Sequence, residues 1–85
     1  MIGKTHGRFW KHFEALPAPV QKLAREKYAL WTRNHHHSSL RFEERRNGIY
    51  VIRIGIDHRA LGLRAGDIVA WFWIGTHEEY NHFRF

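Results

Sequence analysis

Three apolar runs joined by very short connections dominate the second half of the chain. They cover residues 49–56, 58–63 and 68–75, and the first is rich in β-branched side chains. The pair Asn47-Gly48, just before the first run, favours a tight hairpin turn, because both residues tolerate positive φ. Connections this short join antiparallel neighbours, so this half of the chain predicts an antiparallel sheet.

A further strand is predicted over residues 40–45, which gives a meander of about four strands. Residues 1–4 are a candidate for an additional edge strand. Residues 76–85, after the last apolar run, are expected to form a loop or a last helical turn.

The first part of the chain has helical periodicity instead. Residues 6–16 carry apolar side chains at helical spacing, with Thr5 as the expected N-cap. Pro17 ends this helix, and Pro19 suits the first turn of a second helix that reaches Asn34. The two helices form a hairpin, which is expected to cover one face of the sheet because each amphipathic layer needs a partner.

The predicted fold is therefore α+β, with an N-terminal helical hairpin packed on an antiparallel sheet of about four strands. A chain of 85 residues is expected to form a single domain, residues 1–85. It has no cysteine, and no apolar stretch approaches the roughly 20 residues that span a bilayer. These features predict a cytoplasmic protein that does not associate with membranes.

The charge of the chain predicts an anionic partner. Lys and Arg number 14 against 8 acidic residues, giving a net charge of +6, and most of the cations are arginines. Arginine binds phosphate through two parallel hydrogen bonds and stacks on bases. The partner is expected to be a nucleic acid or an acidic protein segment, and composition does not separate the two.

A cluster of arginines is predicted on the uncovered face of the sheet. Arg53 interrupts an apolar strand, and Arg41 and Arg59 lie on the two predicted neighbours of that strand. Arg53 is either an ordinary solvent-facing residue or one member of a concave surface that binds phosphate. Lys22 and Arg25, on the basic side of the second helix, are further candidates for RNA contacts.

A polar segment follows the last apolar run directly. His77 can exchange a proton near neutral pH, Glu79 can accept one, and Tyr80 can donate a hydrogen bond or stack on a base. The alternative is a polar C-terminal cap in which Tyr80 packs on the edge of the sheet. Of the apolar residues before it, at least one of Phe72 and Trp73 is expected to face the helices, where truncation costs about 3–5 kcal/mol.

The histidine run at residues 35–37 does not predict a metal site. Adjacent histidines point in different directions on any regular backbone, and no cysteine is available to complete a tetrahedral set. We expect a plain loop here, with no metal and no cofactor elsewhere.

Four blocks of the sequence resemble the RelE/ParE family of bacterial type II toxin–antitoxin toxins in order and spacing. They are "FWKHFEALPAPVQKLAREKYALWTRN", "NHHHSSL", "YVIRIGIDHRALG" and "IVAWFWIGTHEEY", which together cover nearly the whole chain. The resemblance implies two helices before an antiparallel sheet. It places Arg53, Arg59 and Tyr80 on positions similar to the basic and aromatic site residues of the family. His77 stands near the place where ribonuclease members often carry an arginine.

The resemblance implies a toxin that is neutralised by an antitoxin protein. Members include ribosome-dependent mRNA endonucleases, whose metal-independent chemistry would use His77 as base or acid, with Glu79 as a second base. Arg53 and Arg59 would then clamp the phosphate, and Tyr80 would orient the substrate. Other members inhibit gyrase, and a degenerate member would only bind its antitoxin. One departure from the ribonucleases is the acidic pair at residues 43–44, where several of them have lysines.

Overall fold

The computed structural model describes residues 1–84, which form five strands and three helices. In chain order they are β1 (Ile2–Thr5), α1 (Gly7–Glu14), α2 (Ala18–Arg33), β2 (Glu43–Arg46), β3 (Ile49–Ile54), β4 (His58–Ala65), β5 (Ile68–Thr76) and α3 (His77–Asn81). Among the described residues, no helix is both long enough and apolar enough to cross a bilayer.

The five strands form one sheet in the order β1-β5-β4-β3-β2. Strands β2 to β5 are the predicted antiparallel meander, and the predicted α+β class is confirmed. The sheet has five strands rather than about four, since β1 pairs with β5 in parallel, with Ile2 opposite Ile68 and Thr5 opposite Trp71. The backbone N–H of His6 then donates to the Trp71 carbonyl at 2.8 Å, which brings α1 alongside β5.

A side chain caps the start of α1, and another links α1 to α2. The cap of α1 is His6, whose Nδ1 accepts from the Arg8 N–H at 3.2 Å, and the predicted cap Thr5 accepts instead from the Trp10 indole at 3.1 Å. Helix α2 begins after Pro17. At the junction, the Gln21 amide donates to the carbonyl oxygens of Phe13 at 3.2 Å and Leu16 at 3.0 Å, so the side chain ties α2 to the end of α1.

One face of the sheet, which we call the helix side, packs against α1 and α2. Its buried residues come from both layers: Phe13, Ala24, Trp31, Leu40, Ile52, Ile54, Ala60, Val69, Trp71 and Ile74. Trp31 lies at the centre, fully buried, with its ring edge-on to those of Trp71 at 5.2 Å and Phe42 at 5.7 Å. This aromatic contact ties the end of α2 to β5.

The opposite face, the open side, has a smaller apolar cluster of Val51, Leu61, Trp73 and Tyr80, with Ile49 and Phe72 against it. Trp73 reaches this face because of a β-bulge: Leu61 pairs with Trp73 but Gly62 pairs with Trp71, which leaves Phe72 as the extra residue. The expectation that Phe72 or Trp73 faces the helices is therefore wrong, and Trp71 takes that position.

Candidate active site

A polar pocket of about 410 Å³ opens on the open side of the sheet, beside α3. It is lined by Arg41, Glu43, Arg45, Val51, Arg53, Arg59, His77, Tyr80 and Asn81. Five of the predicted site residues meet here, namely Arg41, Arg53, Arg59, His77 and Tyr80. Four arginines face one carboxylate in this lining, so the pocket favours an anion.

Arg53 and Arg59 form the floor of the pocket and lie directly opposite each other on β3 and β4. Arg59 Nη1 donates to the carbonyl oxygens of His58 at 2.7 Å, Ile56 at 3.3 Å and Gly55 at 3.4 Å. Arg53 Nε donates to the same Gly55 carbonyl at 3.2 Å. Gly55 has φ +66°, which a glycine adopts without strain, so the tight turn itself fixes both guanidinium groups.

The positive charge of this pair has no ion-pair partner among the described residues. Within residues 1–84, no carboxylate lies within salt-bridge distance of Arg53 or Arg59. The pKa of Arg59 is lowered from its ordinary value, first by burial and then by the neighbouring Arg53. Both effects disfavour the charged form, and a bound anion would offset both. Such an arrangement is typical of a functional site rather than of a structural ion pair.

Helix α3 carries His77 and Tyr80 into the pocket, and a capping box fixes where the helix begins. The Thr76 hydroxyl accepts from the Glu79 N–H at 3.0 Å, and the Glu79 carboxylate accepts from the Thr76 N–H at 2.8 Å. The His77 N–H donates to the Asp57 carbonyl at 2.6 Å. The structure does not bring Glu79 to the pocket, because its carboxylate is turned toward the backbone.

Tyr80 both packs on the sheet and lines the pocket. Its ring is buried against Val51, Leu61 and Trp73, and it stacks with the His77 ring at 6.1 Å and 26° between planes. Burial raises the pKa of the Tyr80 phenol. The hydroxyl therefore stays protonated at neutral pH and can donate a hydrogen bond in the pocket.

The capping carboxylate of Glu79 predicts a pH-dependent stability. Hydrogen bonds from Thr76 hold its pKa below the ordinary value of 4.5. Because the folded pKa is the lower one, the stabilisation is fully present above that value and disappears as pH falls through the folded pKa. We expect Glu79→Ala to cost about 0.5–1 kcal/mol at neutral pH, a small effect because the side chain is exposed to solvent.

Thermal melts of wild type, Glu79→Ala and Glu79→Gln measure this effect. Glutamine also closes a capping box, so Glu79→Gln should lose only the charge-dependent part, and its gap from wild type should disappear as the pH falls through the folded pKa of Glu79. A gap that stays the same from neutral pH down to the acid end of the titration would contradict the capping role of the carboxylate.

Arg41 enters the pocket from a strained backbone position. Its φ is +46°, a conformation that costs a non-glycine residue about 1–2 kcal/mol. The preceding Leu40 is fully buried, and its carbonyl accepts from the Arg53 N–H at 2.7 Å. The burial and the hydrogen bond both hold the backbone in place next to Arg41. Strain that the surrounding structure maintains is frequent at functional sites.

Two variants of Arg41 separate its backbone strain from its charge. Arg41→Gly should be about 1 kcal/mol more stable than Arg41→Ala, since glycine relieves the positive φ. Both remove the same guanidinium and should weaken anion binding equally. Urea unfolding of the two variants tests this, and an alanine variant at least as stable as the glycine variant would refute it.

The sequence does not predict three polar residues of the pocket: Glu43, Arg45 and Asn81. Glu43 lies opposite Val51, whose side chain faces the open side, and its carboxylate is 3.9 Å from Arg45 Nη1. Glu44 is turned elsewhere and accepts from the Gly48 N–H at 2.8 Å. Of the acidic pair, one residue therefore lines the pocket and the other closes a turn.

Two predicted RNA contacts lie apart from the pocket. Arg25 is on α2, with its guanidinium 4.9 Å from the centre of the Phe13 ring on the helix side. Lys22 is exposed on the same helix and does not line the pocket. Among residues 1–84, no group of three or more histidine and acidic side chains is arranged to hold a metal ion, and this includes the run at 35–37.

Comparison with known proteins shows the family and the fold of the chain that carries this pocket. The sequence profile of the ParE-like toxin domain matches residues 18–82. No curated protein sequence matches the chain. The toxin of the RelB–RelE antitoxin–toxin complex from Methanococcus jannaschii is similar in structure, with TM-score 0.75 and 15% identity, covering 95% of this chain and 99% of that chain.

Two bacterial structures are similar to a comparable degree. The YoeB/ParE toxin from Agrobacterium tumefaciens gives TM-score 0.68 and 15% identity, covering 91% of this chain and 99% of that chain. YafQ from E. coli gives TM-score 0.66 and 10% identity, covering 92% and 94%. At such low identity these likenesses show a common fold.

Proposed function

Because this chain belongs to the ParE-like toxin domain family, we propose that it acts as the toxin of a toxin–antitoxin pair and cleaves mRNA on cytoplasmic ribosomes. One observation carries the proposal. Arg53, Arg59, His77 and Tyr80, which come from two strands and a helix, line a single cavity of about 410 Å³. That cavity is positively charged and open to solvent.

The chemistry proposed for the pocket is attack of a ribose 2′-oxygen on the adjacent phosphorus. The bond from phosphorus to the 5′-oxygen breaks, which leaves a 2′,3′-cyclic phosphate on one product and a 5′-hydroxyl on the other. One group must take the proton of the 2′-hydroxyl, and another must protonate the leaving oxygen. Cations must stabilise the additional charge on the phosphate oxygens in the transition state.

The residues of the pocket match these needs. Glu43 and His77 are its two proton-transfer groups, and we assign the carboxylate as the base and the imidazole as the acid. Arg53 and Arg59 are held by the turn at Gly55 before any substrate arrives, so little reorganisation is needed when negative charge develops. The neutral Tyr80 hydroxyl donates to the substrate and orients it.

We also propose that an antitoxin covers the pocket. The Methanococcus jannaschii relative was solved as a complex of RelE with RelB. A net charge of +6 and a pair of arginines with no carboxylate within salt-bridge distance in residues 1–84 favour a partner with acidic side chains. An acidic segment bound over Arg53 and Arg59 would exclude the RNA phosphate and thereby inhibit the toxin.

The second candidate function is toxicity through a protein target such as DNA gyrase. The match to the ParE-like toxin profile favours it. Such a toxin would need its surface but not the proton-transfer groups of the pocket. Replacement of His77 therefore separates the two functions.

Induction of the protein in bacteria, followed by mapping of RNA 5′ ends, tests the proposal. We expect growth arrest and new cleavage sites within translated mRNA, and His77→Ala should abolish both. Growth arrest that persists in His77→Ala without new RNA ends would favour the protein target. Normal growth with no new ends in wild type would refute a toxin that cleaves RNA.

A further inference from the structure

A row of planar side chains lies outside the pocket, and we call it the aromatic ladder. Its members are His36, His35, Phe42, Tyr50 and Arg64. Successive ring centres are 4.0, 5.9 and 4.8 Å apart from His36 to Tyr50, and the Arg64 guanidinium lies 5.1 Å from the Tyr50 ring centre. No residue of the ladder lines the pocket.

The aromatic ladder occupies the part of the helix side that α2 leaves uncovered. Helix α2 ends at Arg33, and Phe42 packs against its last buried residue, Trp31. His36 is exposed, and the other four members are half-buried. The Arg64 Nε donates to the Gly66 carbonyl at 2.9 Å, which holds the guanidinium plane over the aromatic rings.

The two ends of the ladder are groups on which a base can stack. His36 presents an exposed imidazole at one end, and Arg64 presents a guanidinium plane at the other. Histidine rings and arginine planes are common stacking partners of unpaired bases. Burial alone does not explain why the ladder has a histidine at one end and an arginine at the other.

The charges around the ladder favour RNA. Burial lowers the pKa of His35 first, and the neighbouring His36, the Met1 amino group and Arg64 lower it further, while Asp67 acts in the opposite direction. Apart from the histidines, the ladder thus has two basic groups, the Met1 amino group and Arg64, close to one carboxylate. A surface that combines basic groups with aromatic rings is typical of single-strand binding sites.

The ladder and the pocket meet at the start of β2. Phe42 belongs to the ladder, whereas its chain neighbours Arg41 and Glu43 both line the pocket. A strand that crosses this edge would therefore pass directly from one surface to the other.

We propose that the aromatic ladder is a second surface for single-stranded RNA, on which bases stack while the strand continues over the edge at Phe42 into the pocket. This inference rests on the proposed function for the path of the strand. The stacking surface itself is tested without any cleavage.

Fluorescence anisotropy with two labelled probes measures the contribution of stacking. The first is an eight-nucleotide oligoadenylate, and the second has the same length and charge but lacks bases. We expect wild type to prefer the adenylate. We expect the double variant His36→Ala/Arg64→Lys, which retains the arginine charge, to bind it about tenfold more weakly and the abasic probe equally well. Arg8→Ala, on α1, is the charge control and should not alter the preference between probes.

Equal binding of both probes by wild type would overturn the proposal, as would unchanged adenylate binding by the double variant. Thermal melts check that the double variant is folded. The single variant His36→Ala, at an exposed position, should also weaken adenylate binding, by a smaller factor. Ladder-dependent binding by a protein that cleaves no RNA would leave the ladder standing and refute the proposed function. If the protein cleaves RNA but the ladder variants bind the adenylate as wild type does, the ladder is refuted and the proposed function stands.

Discussion

Arg59→Ala should slow cleavage of ribosome-bound mRNA by about a hundredfold to a thousandfold, the loss typical when one preorganised donor to a transition-state charge is removed. Arg59 is the most constrained cation of the pocket, with Nη1 bonded to three carbonyl oxygens of the β3–β4 turn. Its charge has no protein carboxylate within salt-bridge distance in residues 1–84. Most of its electrostatic effect is therefore available to the substrate phosphate, although Asp57 offsets a part of it.

Two further variants make this measurement specific. Arg59→Lys retains the charge but lacks the planar fork that binds phosphate and turn together, so it should recover only a small part of the rate. Arg33→Ala removes an exposed arginine at the end of α2 and should leave the rate within a factor of two or three of wild type. A rate for Arg59→Ala similar to that of Arg33→Ala would show that the pocket is not the reaction site.

Trp31→Ala should cost about 3–5 kcal/mol of unfolding free energy, the largest loss we expect from any single truncation. The Trp31 side chain is fully buried and contacts the rings of Tyr28, Phe42 and Trp71. Its removal leaves a cavity where α2, β5 and the loop before β2 meet. Urea unfolding followed by circular dichroism measures the loss.

An exposed tryptophan supplies the matched control for this truncation. Trp10 is 41% exposed, and its indole donates to Thr5 at 3.1 Å, so Trp10→Ala should cost less than half as much. If Trp31→Ala does not fold, Trp31→Phe can be measured instead, with an expected loss of about 1–2 kcal/mol. It retains a ring, and the Trp31 indole N–H has no hydrogen-bond partner in residues 1–84 to lose. A loss below about 1 kcal/mol for Trp31→Ala would contradict a core built on this side chain.

The main elements of the fold are predictable because they depend on local signals. The alternation and short turns of residues 49–75 predict β3, β4 and β5, and the prolines at 17 and 19 predict the break between the helices. The parallel pairing of β1 with β5 is not local. It joins residues more than sixty positions apart, through a strand of only four mostly exposed residues.

The bulge at Phe72 shows why the faces of β5 are not predictable from alternation. A strict period of two puts Phe72 and Trp73 on opposite faces. The extra residue instead changes the alternation in mid-strand, so that Trp71 enters the helix-side core and Trp73 the open side. Nothing in the local sequence separates this strand from a regular one.

Whether a site residue can be predicted also depends on whether its position is set by local sequence or by strand register. The short β3–β4 connection makes the pairing of Arg53 with Arg59 predictable. Glu43 and Arg45 depend on the register of β2, which is interrupted between Glu44 and Arg46. Glu79 is different, since the spacing of Thr76 and Glu79 is the sequence pattern of a capping box and would have indicated its structural role.

The most direct measurement of the proposed chemistry is cleavage of an mRNA that carries one deoxyribose. Purified protein and programmed ribosomes are incubated with two mRNAs that differ only at the nucleotide 5′ to the mapped cut, which is ribose in one and deoxyribose in the other. We predict that the ribose message is cut to give a 5′-hydroxyl end and that the deoxyribose message stays intact at that site. Cleavage of both messages at equal rates would contradict attack by the 2′-oxygen, and with it the assignment of Glu43, His77 and the paired arginines to that reaction.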